Sequence, residues 1–268
     1  MELYLRFLWL VPLGFFAGAY GTLIGAGGGF VLAPALLLLY PEESPETITS
    51  ISLAVVSFNA LSATLAYSRS GKIDFKRGGI FALATIPGAI AGALATTAIN
   101  RRQFNLVFGL ILIVVAIFLA VNPGRKGAAT IARAAGDGKR EKKLSFFTML
   151  LGACLSTVFG FVSSFLGIGG GFLYVPTLVY LLGFPVHAAT ATSLFVLTIT
   201  SFTGTATHVA AGLFQHGIRR TIALSVGAIA GAQLAAMLSQ RIRADWILRS
   251  LALALGLVGL RIVAYAIR

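Results

Sequence analysis

GIGGGFLYVPT, residues 167–177, sets four glycines and a proline inside an apolar stretch long enough to cross a membrane. Glycine costs about 1 kcal/mol relative to alanine in a helix interior and proline about 3, so one continuous helix is a poor description of the segment. The same arrangement stands earlier as GAGGGFVLAPA, residues 25–35. Displacing the chain by 142 positions superposes Gly25, Gly27, Gly28, Gly29, Phe30 and Pro34 on Gly167, Gly169, Gly170, Gly171, Phe172 and Pro176. With small slips, TSISL at 49–53 then falls on TATSL at 190–194, and GAIAGALA at 88–95 on GAIAGAQLA at 227–235. Three matches in the same order predict a tandem duplication, about 14–121 and 156–265.

Composition bounds what such a duplication can be. Of the 268 residues 57% are hydrophobic and 11% charged, whereas soluble domains carry about 25% charged residues. An integral membrane protein is expected. The net charge of +13 does not point to nucleic acid, because the Lys and Arg residues sit between apolar runs and form no basic domain. They read as topogenic charge on cytoplasmic loops, and a cationic surface would also attract an anionic solute. The single cysteine, Cys154, excludes an internal disulfide framework and is expected to be a small buried hydrophobe. The opening MELYLRFLWLVPLGFFAGAYG resembles a signal peptide ending in AGA. Because residues 14–35 have an internal copy at 156–177, it is read as a membrane segment instead.

The expected fold is an all-α polytopic membrane protein of two homologous repeats, with about eight to ten helical segments. Residues 1–121 form the first transmembrane repeat, 122–145 a basic cytoplasmic linker with seven Lys and Arg, and 146–268 the second repeat. Each repeat has a glycine-broken element (7–40; 146–183). Three spans follow it, at about 47–68, 78–99 and 104–121, matched by 188–211, 219–238 and 246–266. The broken element could be one unwound crossing, a re-entrant hairpin or two full crossings. An odd number of crossings per copy makes the repeats inverted, the arrangement expected here, since inverted repeats with paired broken helices are a recurrent transporter plan.

In hydrocarbon an unwound backbone is tolerated only where protein or a water-filled cavity surrounds it. Glycine turns at Gly27, Gly28 and Gly29 and at Gly169, Gly170 and Gly171 can expose N–H groups beside a half-helix N-terminus, which carries a partial positive charge and suits an oxyanion. Close helix packing is the rival reading of the same small residues. A dinucleotide fingerprint fails because Phe30 and Phe172 stand where its last glycine belongs, and neither copy has the GK[ST] of a P-loop. A polar stripe on the second span strengthens the site reading: Ser193, Thr200, Thr203, Gly204 and Thr207, with Ser52, Asn59, Ser62 and Ala63 at the equivalent places of the first copy. His208 ends this stripe, aligns with Tyr67 and is a candidate carrier of a coupling proton. His187 and His216 fall near span ends.

Nothing in the sequence suggests catalysis. The eight acidic residues lie in loops or near segment ends, the three histidines lack metal-ligand spacing, and there is no nucleophile elbow. No cofactor, metal or ATP-binding motif is implied.

GIGGGFLYVPTLVYLLGFPVHAATATSLF, together with GAGGGFVLAPALLLLY, resembles the TauE/SafE family of bacterial membrane proteins, the sulfite exporter-like permeases. The resemblance covers both copies; the first departs from it at SISL, residues 50–53, where the second has ATSL. It implies a secondary transporter in the bacterial cytoplasmic membrane that moves sulfite or a related sulfur-containing or organic anion, with the lipid bilayer and a small anion as partners and proton or ion coupling. A passive anion channel and a non-transporting membrane scaffold are the alternatives.

Overall fold

The computed structural model describes residues 8–121, 146–214, 217–238 and 244–267. The first half of the chain comprises α1 (Leu10–Ile24), α2 (Gly29–Leu39), α3 (Pro45–Ser68), α4 (Phe75–Ala95) and α5 (Arg101–Val121). After the basic linker, whose residues 122–145 lie outside the described ones together with His216, come α6 (Phe146–Leu166), α7 (Gly171–Tyr180), α8 (Val186–Ala210), α9 (Ile218–Leu238) and α10 (Ala244–Ile267). Among the described residues there is no strand. Five helices are long and apolar enough to cross a membrane by length and composition: α3, α4 extended to Ala98, the Met149–Leu166 part of α6, α8 and α9.

Local chemistry accounts for the helix ends. Ser44 caps α3 by accepting from the Thr47 N–H with Pro45 in the first turn, and Asp74 caps α4 by accepting from the Arg77 N–H. The breaks between α1 and α2 and between α6 and α7 fall on the repeated glycines. Gly25 ends α1 in the left-handed region, at φ 81°, and Gly28 starts α2 there too, also at φ 81°; Gly167 and Gly170 repeat this at 69° and 72°. A residue with a Cβ is strained in that conformation. The reversal is sharp: a Cβ on Gly28 would lie 2.4 Å from the Ala17 carbonyl oxygen, and the Phe30 ring sits 5.8 Å from that of Tyr20. Thus α2 turns back against α1, and the segment is not one unwound crossing.

Helix contacts set directions. Ser57 meets Thr205 and Thr64 meets Thr198, so α3 and α8 run antiparallel. Gly14 packs on Leu224 and Gly18 on Ala228, making α1 parallel to α9; Gly88 packs on Thr157 and Gly92 on Phe161, making α4 parallel to α6. Asp74 bonds Thr192 and Thr85 bonds Thr200, so α4 is parallel to α8. Gly217 against Ile51 and Ile229 against Ser62 make α9 parallel to α3. Since α1 and α3 run the same way, the short α2 returns the chain to the end where α3 begins. Arg101, at the start of α5, reaches this end and donates to the carbonyls of Leu37, Tyr40 and Glu43.

The GAIAG segments serve these interfaces. A Cβ on Gly88 would stand 1.9 Å from the Thr157 oxygen, and one on Gly227 2.0 Å from the Val11 oxygen. Small residues four apart let the backbones touch, as in membrane helix pairs. Large apolar side chains face outward instead: Leu83, Leu110, Leu234 and Leu253 are all more than half exposed, an outer surface suited to lipid rather than water. Cys154 joins it. The expectation of a buried thiol is corrected, because α6 packs on α4 through Gly152, Thr157 and Gly160 and Cys154 lies on the other face, exposed.

Candidate substrate site

The two glycine turns, 142 residues apart in sequence, lie against each other. A Cβ on Gly29 would fall 2.2 Å from the Ile168 oxygen, and one on Gly171 2.2 Å from the Gly25 oxygen. The N-termini of α2 and α7 therefore converge at one place, bracketed by the antiparallel pair α3 and α8. Two hydroxyls stitch the arrangement reciprocally. Ser52 on α3 donates to the Gly167 carbonyl at 2.5 Å, and Ser193 on α8 donates to the Gly25 carbonyl at 2.9 Å. Each serine thus holds the turn of the other half. Both are fully buried, as are Thr49 and Thr190, which pack against Gly167 and Gly25.

Asn59 also reaches a turn, that of its own half: its amide nitrogen donates to the Gly27 carbonyl at 3.1 Å and to the Thr22 hydroxyl at 3.2 Å. The rest of the polar stripe goes elsewhere. Ser62 donates to the Ile229 carbonyl and accepts from Gln233 on α9. Thr200, in register with Asn59, donates to Thr85 on α4 at 2.9 Å. The Thr203 and Thr207 hydroxyls return to carbonyls of their own helix, where such back-bonding satisfies the hydroxyl locally. His208 is fully buried, and neither ring nitrogen has a partner among the described residues. His187 is half-buried at the start of α8.

Glycine plays two parts at the centre. Gly25, Gly27 and Gly28 and their counterparts take left-handed conformations, whereas Gly29 and Gly171 are needed for close approach to the opposite turn. The space beside Gly27 and Gly169 is filled by the same two side chains, Val56 and Leu197. Polarity at this centre comes from hydroxyls, one amide and backbone groups. The Ser52, Ser193 and Asn59 donors are committed within the protein, so what complements a negative charge here is the pair of helix N-termini.

Residues 10–262 match the family described as Sulfite exporter TauE/SafE. The chain belongs to the TauE/SafE family. It is 32% identical over 269 residues to a Bacillus subtilis protein named "Probable membrane transporter protein YunE", covering 97% of this chain and 98% of that one. A Methanocaldococcus jannaschii relative with the same style of name is 27% identical over 278 residues, at 97% and 98% coverage. A Xylella fastidiosa relative is 29% identical over 230 residues, covering 83% and 81%. No solved structure matches. The chain is thus a multi-pass membrane protein of a transporter family, as its quoted motifs implied.

Several participants were not singled out from sequence. Thr22, Ser163 and Ser164 lie just before the glycines, and Gly21 and Thr22 are in register with the two serines at the displacement of 142. That register was the available signal. Arg101, and Arg220 with Glu43, read only as loop charges until their partners on other segments are seen.

Proposed function

We propose that this TauE/SafE protein is a secondary permease for a small anion, with its halves related as inverted repeats and its substrate handled where the two glycine turns meet. The single observation that carries the reading is the reciprocal pair Ser52 to Gly167 and Ser193 to Gly25, which ties two half-helix N-termini to one central point. Broken helices from two repeats meeting midway are the usual binding architecture of secondary transporters. The antiparallel α3 and α8 and the returning α2 support an odd number of crossings per repeat. The backbone donors come from the N–H groups of Gly27 to Gly29 and Gly169 to Gly171 that are not already bonded within the turns, Gly27 N being taken by the Gly21 carbonyl, with Ser52 and Ser193 beside them, and buried His208 is the candidate for a coupling proton. The family description favours sulfite or a related sulfur-containing or organic anion. The bacterial cytoplasmic membrane is the proposed location, with the basic linker inside.

Close packing favours a second reading, a scaffold. A Cβ on any of the six central glycines would come within 2.8 Å of a neighbouring atom. Countertransport separates the two: purified protein in liposomes loaded with sulfite should exchange it for external labelled sulfite, and a scaffold moves none of a panel of sulfur and carboxylate anions. The repeat relation is tested with Glu42→Cys and Leu181→Cys, both in a Cys154→Ser background. Labelling from opposite membrane faces fits inverted repeats; labelling from one face fits parallel ones.

A further inference from the structure

The two turns match in sequence but are closed differently. In the first, the Gly21 carbonyl accepts from both Ala26 N (2.8 Å) and Gly27 N (3.1 Å), and Asn59 bridges the Gly27 carbonyl and the Thr22 hydroxyl. No side chain intervenes between α1 and the start of α2: a Cβ on Gly21 would lie 1.8 Å from the Gly28 nitrogen. The hydrogen-bonding groups of α1 and Asn59 at this turn are therefore occupied by one another, and the unpaired hydroxyl that touches it, that of Thr190, comes from α8.

The second turn lacks most of this closure. Ser163 and Ser164 stand where the first copy has Gly21 and Thr22. Both are fully buried, and both hydroxyls are without a hydrogen-bond partner among the described residues. The Ser163 carbonyl accepts from Ile168 N at 3.2 Å, but among the described residues no bond from Gly169 N repeats that of Gly27. Thr200 turns to α4 and so cannot do for this turn what Asn59 does for the first. Buried polar groups are nearly always paired, so two adjacent unpaired hydroxyls call for a ligand.

Their placement says which kind. The Ser163 oxygen lies 3.1 Å from the position a Cβ would take on Gly170, the left-handed residue that caps α7. A capping side chain ordinarily occupies this place and meets the unpaired N–H groups of the first helical turn. Ser164, one residue on, has its oxygen 2.7 Å from the Cβ position of Gly204 on α8; glycine there leaves that hydroxyl its room. Residues 163–172 contain no ionisable side chain, so every group offered is a neutral hydroxyl or a backbone N–H.

We infer that the second turn is the oxyanion-holding half: the Ser163 and Ser164 hydroxyls and the N–H groups at Gly169 to Gly171 cradle a small oxyanion, while the first turn is a fixed support locked by Asn59 and Thr22. This deepens the permease reading and rests on it. Successive backbone N–H groups around left-handed residues form anion-binding concavities, and a helix N-terminus adds its partial charge. Such a cradle suits a group with two or three exposed oxygens, namely sulfite, a sulfonate or a carboxylate.

The test uses sulfite as probe on the full-length protein, with calorimetric binding in detergent, countertransport in liposomes and melting temperature measured for each variant. Ser163→Ala is expected to weaken sulfite binding at least tenfold without lowering the melting temperature, because it removes an unpaired hydroxyl. Ser163→Cys, which keeps the side chain's shape at slightly greater size but donates poorly, should do the same and covers the case in which alanine disturbs folding. Thr22→Val should lower the melting temperature while sulfite affinity stays within twofold. Wild-type affinity in both Ser163 variants of a protein that transports sulfite overturns the inference and leaves the permease reading standing. Equal losses in Thr22→Val and Ser163→Ala overturn the asymmetry. A wild-type protein that neither binds nor moves sulfite, thiosulfate, methanesulfonate or acetate removes the permease reading, and the inference with it.

Discussion

Ser193 donates its hydroxyl to the carbonyl of Gly25, 2.9 Å away and 168 positions earlier in the chain. Its counterpart Ser52 does the same for Gly167 in the opposite half. A left-handed turn leaves carbonyls without helical partners, and in a buried site each unpaired one is costly. The serines remove that cost and join the two halves.

Ser52→Ala and Ser193→Ala should each therefore destabilise the protein by about 1–3 kcal/mol, since the glycine carbonyl is left buried and unsatisfied. The double variant should depart from additivity, because both bonds close one interface. Unfolding in detergent measures this. Strict additivity would mean that the turns are held independently.

Asn59 has its amide donors committed within the protein, to Gly27 and Thr22. Asn59→Ala is accordingly expected to cost roughly 2 kcal/mol of stability, with anion affinity of the folded protein little changed. An unchanged melting temperature with a large loss of affinity would instead make Asn59 a direct substrate contact.

Why some of this was legible in sequence and some was not is a matter of range. The breaks at 25–28 and 167–170 announced themselves because several glycines and a nearby proline are a local cost to a helix, and α3, α4, α8 and α9 follow from apolar runs of spanning length. Local patterning gives a face and not a partner. The stripe containing Ser52, Asn59 and Ser62 was visible, yet Ser52 goes to the opposite turn, Asn59 to its own, and Ser62 to α9. Thr203 lay on the matching stripe but satisfies itself on the Ile199 carbonyl. Cys154 was misplaced for the same reason: an apolar run in a membrane protein has a lipid face as well as a buried one, and only packing tells them apart.

Gly79 and Gly88 on α4 make a paired test of the packing account. A Cβ on Gly88 would lie 1.9 Å from the Thr157 oxygen, whereas nothing lies within 4 Å of one on Gly79. Gly79→Ala should be neutral or stabilise by up to about 1 kcal/mol, the helix-propensity difference. Gly88→Ala forces α4 and α6 apart and should cost about 3 kcal/mol or more, in the range of overpacking at a close contact. The melting temperature should fall for Gly88→Ala and not for Gly79→Ala, and a harmless Gly88→Ala would show that this helix contact is loose.

The ends of the molecule are fastened unequally. At the start of α3, Arg220 from the second half pairs with Glu43 from the first at 2.7 Å and lies 4.1 Å over the Tyr40 ring. At the opposite end, where α8 begins, Arg77 stands 5.4 Å over Phe184, and its carboxylate partner Asp74 is on its own half. Among the described residues, only the first end has an ion pair between halves. The pair is partly exposed, so its worth is roughly 0.5–1 kcal/mol, but even that changes the ratio of two conformations severalfold. Glu43→Gln should therefore favour opening at the α3 end. The measurement is the rate at which a thiol reagent modifies Ala54→Cys in a Cys154→Ser background, since Ala54 is buried on α3. A severalfold faster reaction is expected with Glu43→Gln, reproduced in part by high salt on the unaltered pair because exposed charges are screened. Phe184→Ala, at the other end, should leave that rate unchanged. Should Glu43→Gln leave labelling as slow as before, the ion pair contributes only to local order and the opening of that end is governed by the turns.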